Sequence, residues 1–222
     1  MAEILSGYGN SLSQVGRYDE AQKNLAEAMT LARELQNKTL VAQILNFQGD
    51  TFYYRGDIKS AAGLFSQALA ATSGNVEKEV VLLSKLNSAK CVVEEKGNQA
   101  AIAPLKTLVK EADTVGLKHI STEAELALAE ALLEAHQYPA ARRELETSLR
   151  TSEKLGLQTL LARSHYLLGR SLELSGSGSA EAAPHYAAAR RILETIQRES
   201  GNEGILKRQD LSHISSRAAL KP

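Results

Sequence analysis

Apolar residues recur along this chain at steps of three and four, in stretches of about 15 to 18 residues divided by turn residues. The whole pattern returns after forty positions. Small residues stand at Gly9, Gly49, Ala89, Ala129 and Gly169, followed three places on by Leu12, Phe52, Val92, Leu132 and Leu172. Twelve places after the small residue come Ala21, Ala61, Ala101 and Ala141, with Ala182 one place late. The next large position reads Leu25, Phe65, Leu105, Leu145 and Tyr186, and three further on stand Ala28, Ala68, Leu108, Ser148 and Ala189. A fixed period between about 20 and 50 residues is the mark of a solenoid, whose units bury their apolar faces against their neighbours. The pattern predicts an all-α fold, an α-α superhelix of five helical hairpins. Their boundaries fall at about 2–37, 38–75, 76–116, 117–157 and 158–200 in one elongated body.

The turn residues agree with this division. In the first unit, residues 2 to 15 form helix A, Gly16-Arg17 the turn, and residues 18 to 35 helix B. Gly16 and Gly56 end helices A where a left-handed residue is needed, Asp57 and Asn98 cap the helices that follow, and Pro139 sits just inside the fourth helix B. Val115-Gly116-Leu117 and Leu155-Gly156-Leu157 repeat one plan between units. In the fifth unit Ser175 to Ser179, SGSGS, replaces the tight turn. It follows a helix and lacks a Gly-Lys-Ser/Thr ending, so it reads as a loop and not as a phosphate cradle. Beyond the fifth unit, residues 201–222 form a capping helix with Ile205, Leu206, Leu211 and Ile214 on one face, or else a tail.

Composition narrows the classes. Trp is absent, Pro numbers 4, and hydrophobic residues make up 43% of the 222, a profile suited to helices. Lys plus Arg and Asp plus Glu are both 26, without the basic excess that neutralises phosphates, so no nucleic-acid partner is expected. Apolar runs are too short to span a bilayer and the start MAEILSGYGN is no signal peptide, so no membrane partner is expected either. One cysteine fits a reducing, cytoplasmic setting. Cys91 shares its repeat position with Ser11, Thr51, Ala131 and Ser171, so it is expected as a packed small residue and not as a reactive thiol.

The stretch Gly9 to Ala28 reads small, large, then Gly-x-Tyr-x-x-Ala-x-x-x-Leu-x-x-Ala, and resembles a tetratricopeptide repeat. GDIKSAAGLFSQAL at Gly56 to Leu69 resembles one equally, and the likeness extends over all five units. The third unit has Lys96 in place of the turn glycine, and the fourth, HQYPAARRELETSL, has His136. The usual period is 34 residues, so these are tall repeats. They resemble those of kinesin light chains, bacterial maltose-type transcription activators and peptide-sensing bacterial regulators, and the repeats that follow some bacterial serine/threonine kinase domains. The chain starts in register at its first helix A, which suits a piece of a larger protein as well as a free-standing one.

The resemblance implies that helices A line a concave face and that a protein or peptide binds there. Its most central rung falls on Asn10, Asp50, Lys90, Glu130 and Arg170. Four residues earlier stand Ser6, Asn46, Leu86, Leu126 and Tyr166; four later come Gln14, Tyr54, Glu94, Glu134 and Leu174. A further rung holds Glu3, Gln43, Leu83, Glu123 and Arg163. Asn10, Asn46 and Asn87 are expected to offer amides to an extended peptide backbone, and Tyr53, Tyr54 and Tyr166 aromatic surface. Asp50, Glu94, Glu123, Glu130 and Glu134 make the middle acidic, while Arg163 and Arg170 make the last unit basic. A clamp for a chaperone-tail carboxylate needs Lys where Ser6 and Leu83 stand.

No catalytic, metal-binding or cofactor-binding role is assigned. His119, His136, His165, His185 and His213 occupy different repeat positions, and Glu125, Glu130 and Glu134 lack histidine companions. The favoured function is a protein- or peptide-binding scaffold. A regulatory sensor domain of a larger kinase or transcription activator is the alternative, and oligomeric state stays open. The scaffold reading carries one stability test: Ala61→Leu should overpack the junction of helices A and B and cost about 1 to 3 kcal/mol in chemical unfolding.

Overall fold

The structure is a computed structural model that describes residues 1–74, 76–94, 99–176, 178–200 and 203–217. Its described residues form eleven α-helices and one 3-10 turn, with no strand. The helices are α1 (Ala2–Gln14), α2 (Tyr18–Glu34), α3 (Lys38–Arg55), α4 (Ile58–Ala71), α5 (Lys78–Glu94), α6 (Gln99–Thr114), α7 (Lys118–Glu134), α8 (Tyr138–Leu155), α9 (Gln158–Leu174), α10 (Ser179–Ser200) and α11 (Gln209–Arg217). The 3-10 turn, Glu203–Lys207, precedes α11. The fold class is all-α, of the tetratricopeptide-like helical solenoid kind.

Local chemistry accounts for where these helices begin and stop. Gly16 and Gly56 follow α1 and α3 with φ of +80° and +86°, a conformation that glycine adopts without steric cost. Asp57 Oδ1 accepts the Ser60 backbone N–H at 3.1 Å and caps α4. Asn37 caps α3 in the same way, taking the Leu40 N–H at 3.0 Å. Pro139 lies in the first turn of α8, where a missing N–H costs nothing. His136, at the position of a turn glycine, takes up a left-handed φ of 56°, with its Nδ1 2.8 Å from the Tyr138 hydroxyl. Lys96, Asn98 and Ser177 lie outside the described residues.

The chain divides into two compact units, one of residues 1–91 with the described residues up to Asp210 of the C-terminal segment, the other of residues from Val92 through α10 with those from Leu211 onward. In the first unit α1 packs on α2 and α3, and α3 on α4. Leu25, Ala28, Met29 and Ala32 meet Leu40, Ile44, Leu45, Phe47 and Ala68 in one core cluster. Tyr53, Ala61, Phe65 and Cys91 form another, so the cysteine is a packed residue, 3% exposed. In the second unit α6, α7, α8, α9 and α10 pack each on the next, around Leu126, Leu128, Leu132, Leu133 and Leu145.

The small and large residues of the forty-residue pattern meet one another. A Cβ placed on Gly9 would lie 2.7 Å from Leu25 Cγ, and one on Gly169 would lie 2.7 Å from Tyr186 Cε1. On Gly49 it would run into the ring of Phe65. Each glycine is thus the socket for the large residue of its own helix B, and the backbone of helix A comes into contact with that side chain. Between successive helices A the contact is partly polar: the Ser13 and Thr51 hydroxyls are 2.6 Å apart and buried.

Two glycine-to-alanine changes separate socket from propensity. Gly63, exposed in α4 with nothing near its would-be Cβ, should gain up to about 1 kcal/mol as Ala. Gly49→Ala should lose about 1 to 3 kcal/mol, because the clash with Phe65 exceeds the gain in helix propensity. Urea unfolding of both variants checks the opposite signs.

Candidate functional site

The rung residues of helices A meet three fates. Asn10, Gln43, Glu130 and Arg170 are partly exposed, and Gln14 and Glu94 are exposed. Tyr53, Lys90, Arg163 and Tyr166 are buried, at 2%, 4%, 5% and 6% exposure, and Asp50 at 8%. Asn46 and Asn87 lie inside the first unit, and here the structure corrects the sequence reading. The Asn46 amide donates to Ala42 O at 3.1 Å and to Ser84 Oγ at 2.8 Å, while its Oδ1 accepts from Asn87 Nδ2 at 3.3 Å. Stacking α3 beside α5 turns these positions toward the neighbouring helix, so the amides bond to each other and not to a peptide.

Charges behave similarly in the second unit. Arg163 Nη2 donates to Glu130 Oε1 at 3.1 Å and Arg170 Nη2 to Glu134 Oε1 at 3.3 Å. The acids and arginines that the sequence sets apart by 33 and 36 residues come from adjacent helices, α7 and α9, and neutralise one another. Tyr166 packs against the Tyr186 ring at 5.7 Å between centroids and against His213 of α11 at 4.8 Å.

The residues that sequence reasoning missed lie in the C-terminal segment. Arg208 stacks over Tyr54, its guanidinium carbon 3.8 Å from the ring centroid, and donates through Nη1 to Gln14 O at 3.4 Å. Its Nε and Nη2 donate to Asp210 Oδ1 and Oδ2 at 3.0 and 2.8 Å. Burial pushes the Tyr54 phenol well above its ordinary value, with Arg208 acting in the opposite sense. The neighbouring Tyr53 carries Lys90 Nζ 4.7 Å above its ring. The apolar spacing of Ile205, Leu211 and Ile214 signals a packed segment, and all three are buried, whereas Leu206 is only partly so. Nothing in that spacing signals that residues 204–210 pack against α1 and α3.

Two polar pairs replace leucines of the repeat. Leu45 and Leu64 pack into the core of the second hairpin, and forty residues on from Leu45 and then forty more comes Glu125, with Glu144 in the place of Leu64. In the fifth repeat the same places hold His165 and His185, whose Nδ1 atoms are 3.1 Å apart. Burial holds both imidazoles below their usual value, and His185 lowers His165 further. Among the described residues no group of three or more His, Cys, Asp or Glu is placed to hold a metal ion, and no helix is long and apolar enough to cross a membrane.

Sequence and fold comparisons agree on the class. A family model, tetratricopeptide repeat, matches residues 1–73. Residues 1–73 thus match the tetratricopeptide-repeat family, and the fold of the chain is of the same helical-repeat kind. Its solved likenesses include PlcR of Bacillus thuringiensis, in complex with the peptide PapR7 and DNA, at a TM-score of 0.79 and 12% identity over 99% of this chain and 74% of that one. RapI in its apo form follows at 0.66 and 13%, covering 98% and 83%. Nearly identical repeats of kinesin light chain type from Podosopora anserina reach 0.59 and 18%, covering 88% and 96%. No curated protein matches the sequence.

Glu125 gives this region a measurable titration. Its carboxyl is buried, Oε2 meets no hydrogen-bond partner among the described residues, and its pKa is pushed from 4.5 up to about 7. Burial is the main cause, with Asp113 and Glu144 adding to it and Lys118 and Arg150 opposing. The folded state therefore holds a proton that the unfolded chain has released between these two values, so stability falls as pH rises from about 4.5 through about 7. Glu125→Gln should match the parent at pH 4.5 and exceed it at pH 8 by on the order of 2 kcal/mol in thermal unfolding.

Proposed function

We propose that this chain is a protein- or peptide-binding module whose ligand lies against helices A. The observation that carries the reading is that α1 and α3 already engage a stretch of polypeptide, residues 204–210, through a helix-terminal carbonyl and an aromatic face. Those are contacts that any peptide of suitable sequence can make, because they use backbone and ring surfaces and not a fitted cavity. The repeat fold supports the same reading, since its scaffold is fixed by small and large core residues while the rung residue differs in every unit. The PlcR structure, which holds a peptide, adds the weight of a similar fold put to that use.

The rung residues proposed for ligand contact are those left accessible, Asn10, Gln14, Gln43, Glu94, Glu130 and Arg170, together with Tyr54, whose ring Arg208 covers. Asn10 and Gln43 offer amides that donate and accept, which suits a peptide backbone. A narrower form of the reading, an effector-sensing module of a larger regulator, is favoured by the likeness to PlcR, of which this chain matches 74%. No enzymatic role is proposed.

Selection of a random peptide library on the full chain tests the module reading. Peptides that bind should lose about tenfold or more in affinity for the Asn10→Ala/Gln43→Ala double variant, the effect of about two missing hydrogen bonds. Failure to enrich any peptide, or equal affinity for the variant, would sink it.

A further inference from the structure

Residues 204–210 meet α1 and α3 in a manner unlike the packing of the hairpins. The hairpins interlock through large side chains in glycine sockets, whereas this segment is held by an arginine, a buried isoleucine and close backbone passage. A Cβ on Gly16 would come within 2.5 Å of Gly204 O, and one on Gly56 within 3.3 Å of Gln209 Oε1. The two left-handed turn glycines therefore leave room for the segment to lie against both helix ends. Arg208 lies between them, stacked on Tyr54 and bonded to the Gln14 carbonyl. Its remaining fork is closed by Asp210, two residues on, so the guanidinium is aimed by its own segment. Ile205, three residues before the arginine, is 5% exposed.

The receiving surface is likewise prepared. Tyr18 donates its hydroxyl to Tyr54 O at 3.2 Å, which ties the first helix B to the end of α3. Arg55 lies over the Tyr18 ring, 5.3 Å from its centroid, and also pairs with Asp19. Burial raises the Tyr18 phenol and Arg208 opposes that rise, as it does for Tyr54, so one arginine is felt by both rings. The Gln14 carbonyl is at the C-terminal end of α1, where the helix leaves acceptors unfilled and favours a cation.

We propose that residues 204–210 are a tethered ligand, and that the Gln14–Tyr18–Tyr54 surface takes in trans a peptide of the same chemistry. That peptide carries an aliphatic residue, an arginine three places later and a carboxylate two places after that. The inference rests on the peptide-binding reading above and specifies the ligand of its first unit. Every contact named is made by the short segment itself, and Arg208 reaches a partner 194 residues away in sequence. Nothing in those contacts needs the chain to be continuous. Being attached, the segment competes at an effective concentration of roughly millimolar, so a free peptide of equal affinity binds weakly until the segment lets go.

A fluorescent synthetic peptide of residues 204–212, GILKRQDLS, tests this by anisotropy against the full chain. Arg208→Ala frees the surface and should bind the peptide at least about tenfold more tightly than the parent chain does. Asp210→Ala, which loosens the arginine and leaves Gln14, Tyr18 and Tyr54 unsubstituted, should move the same way. Adding Tyr54→Leu to Arg208→Ala should cancel the gain, and a peptide with alanine for its arginine should not bind. Equal binding to the parent and both release variants overturns the proposal. So does loss of helical circular dichroism in both, which would make the segment part of the fold and not a ligand. If peptides from the random library bind the Arg208→Ala chain and GILKRQDLS does not, the module reading stands and this inference falls; if neither binds, both fall.

Discussion

Everything else in this fold depends on how closely helix B approaches helix A. Gly9, Gly49 and Gly169 receive Leu25, Phe65 and Tyr186 at distances that leave no space for a methyl group. Such sockets fix the crossing point of these three hairpins, because a ring or branched side chain that enters one backbone groove cannot slide to the next turn without overlap. Within each unit a crossing point that recurs after forty residues also repeats the face that helix A turns away from its helix B. The rungs of the proposed binding face are thus a consequence of core packing and need no rule of their own.

That same stacking uses up part of the polar rungs. Within each unit neighbouring helices A stand side by side, and polar residues at the seam find partners there: Ser13 with Thr51, Asn46 with Ser84 and Asn87, Arg163 with Glu130. A buried amide or hydroxyl left unpaired costs more than the bond between two of them gains, so these pairs hold neighbouring helices in register. Glu125 departs from the rule. It stands where the second repeat has a leucine, and burial favours its protonated form, as burial favours the neutral form of the histidine pair in the next repeat. What remains accessible for the proposed recognition is a subset of the rung residues.

The scaffold was readable from the chain because each of its determinants is local or periodic. Gly16 and Gly56 ending helices, Asp57 capping, and glycine sockets in register with large residues all follow from spacing alone. The proposed binding face was only half readable. Its rungs followed from the period, but Asn46 and Asn87, which stand at other repeat positions than Asn10, are buried against the neighbouring helix while Asn10 stays partly exposed. In the same way Glu130 and Arg163 read as fields of opposite sign, and become a pair when α7 and α9 are side by side.

The sequence by itself determined the helices, the hairpins and the repeat, since those depend on side-chain size and backbone freedom at fixed intervals of a few residues to forty. Only the tertiary structure decided which polar rung residues are accessible and where residues 204–210 lie. Whether a side chain is buried depends on what is packed against it, and the arginine over Tyr54 comes from the other end of the chain. No periodicity connects Arg208 with Gln14, because a single contact across 194 residues leaves no repeat to read.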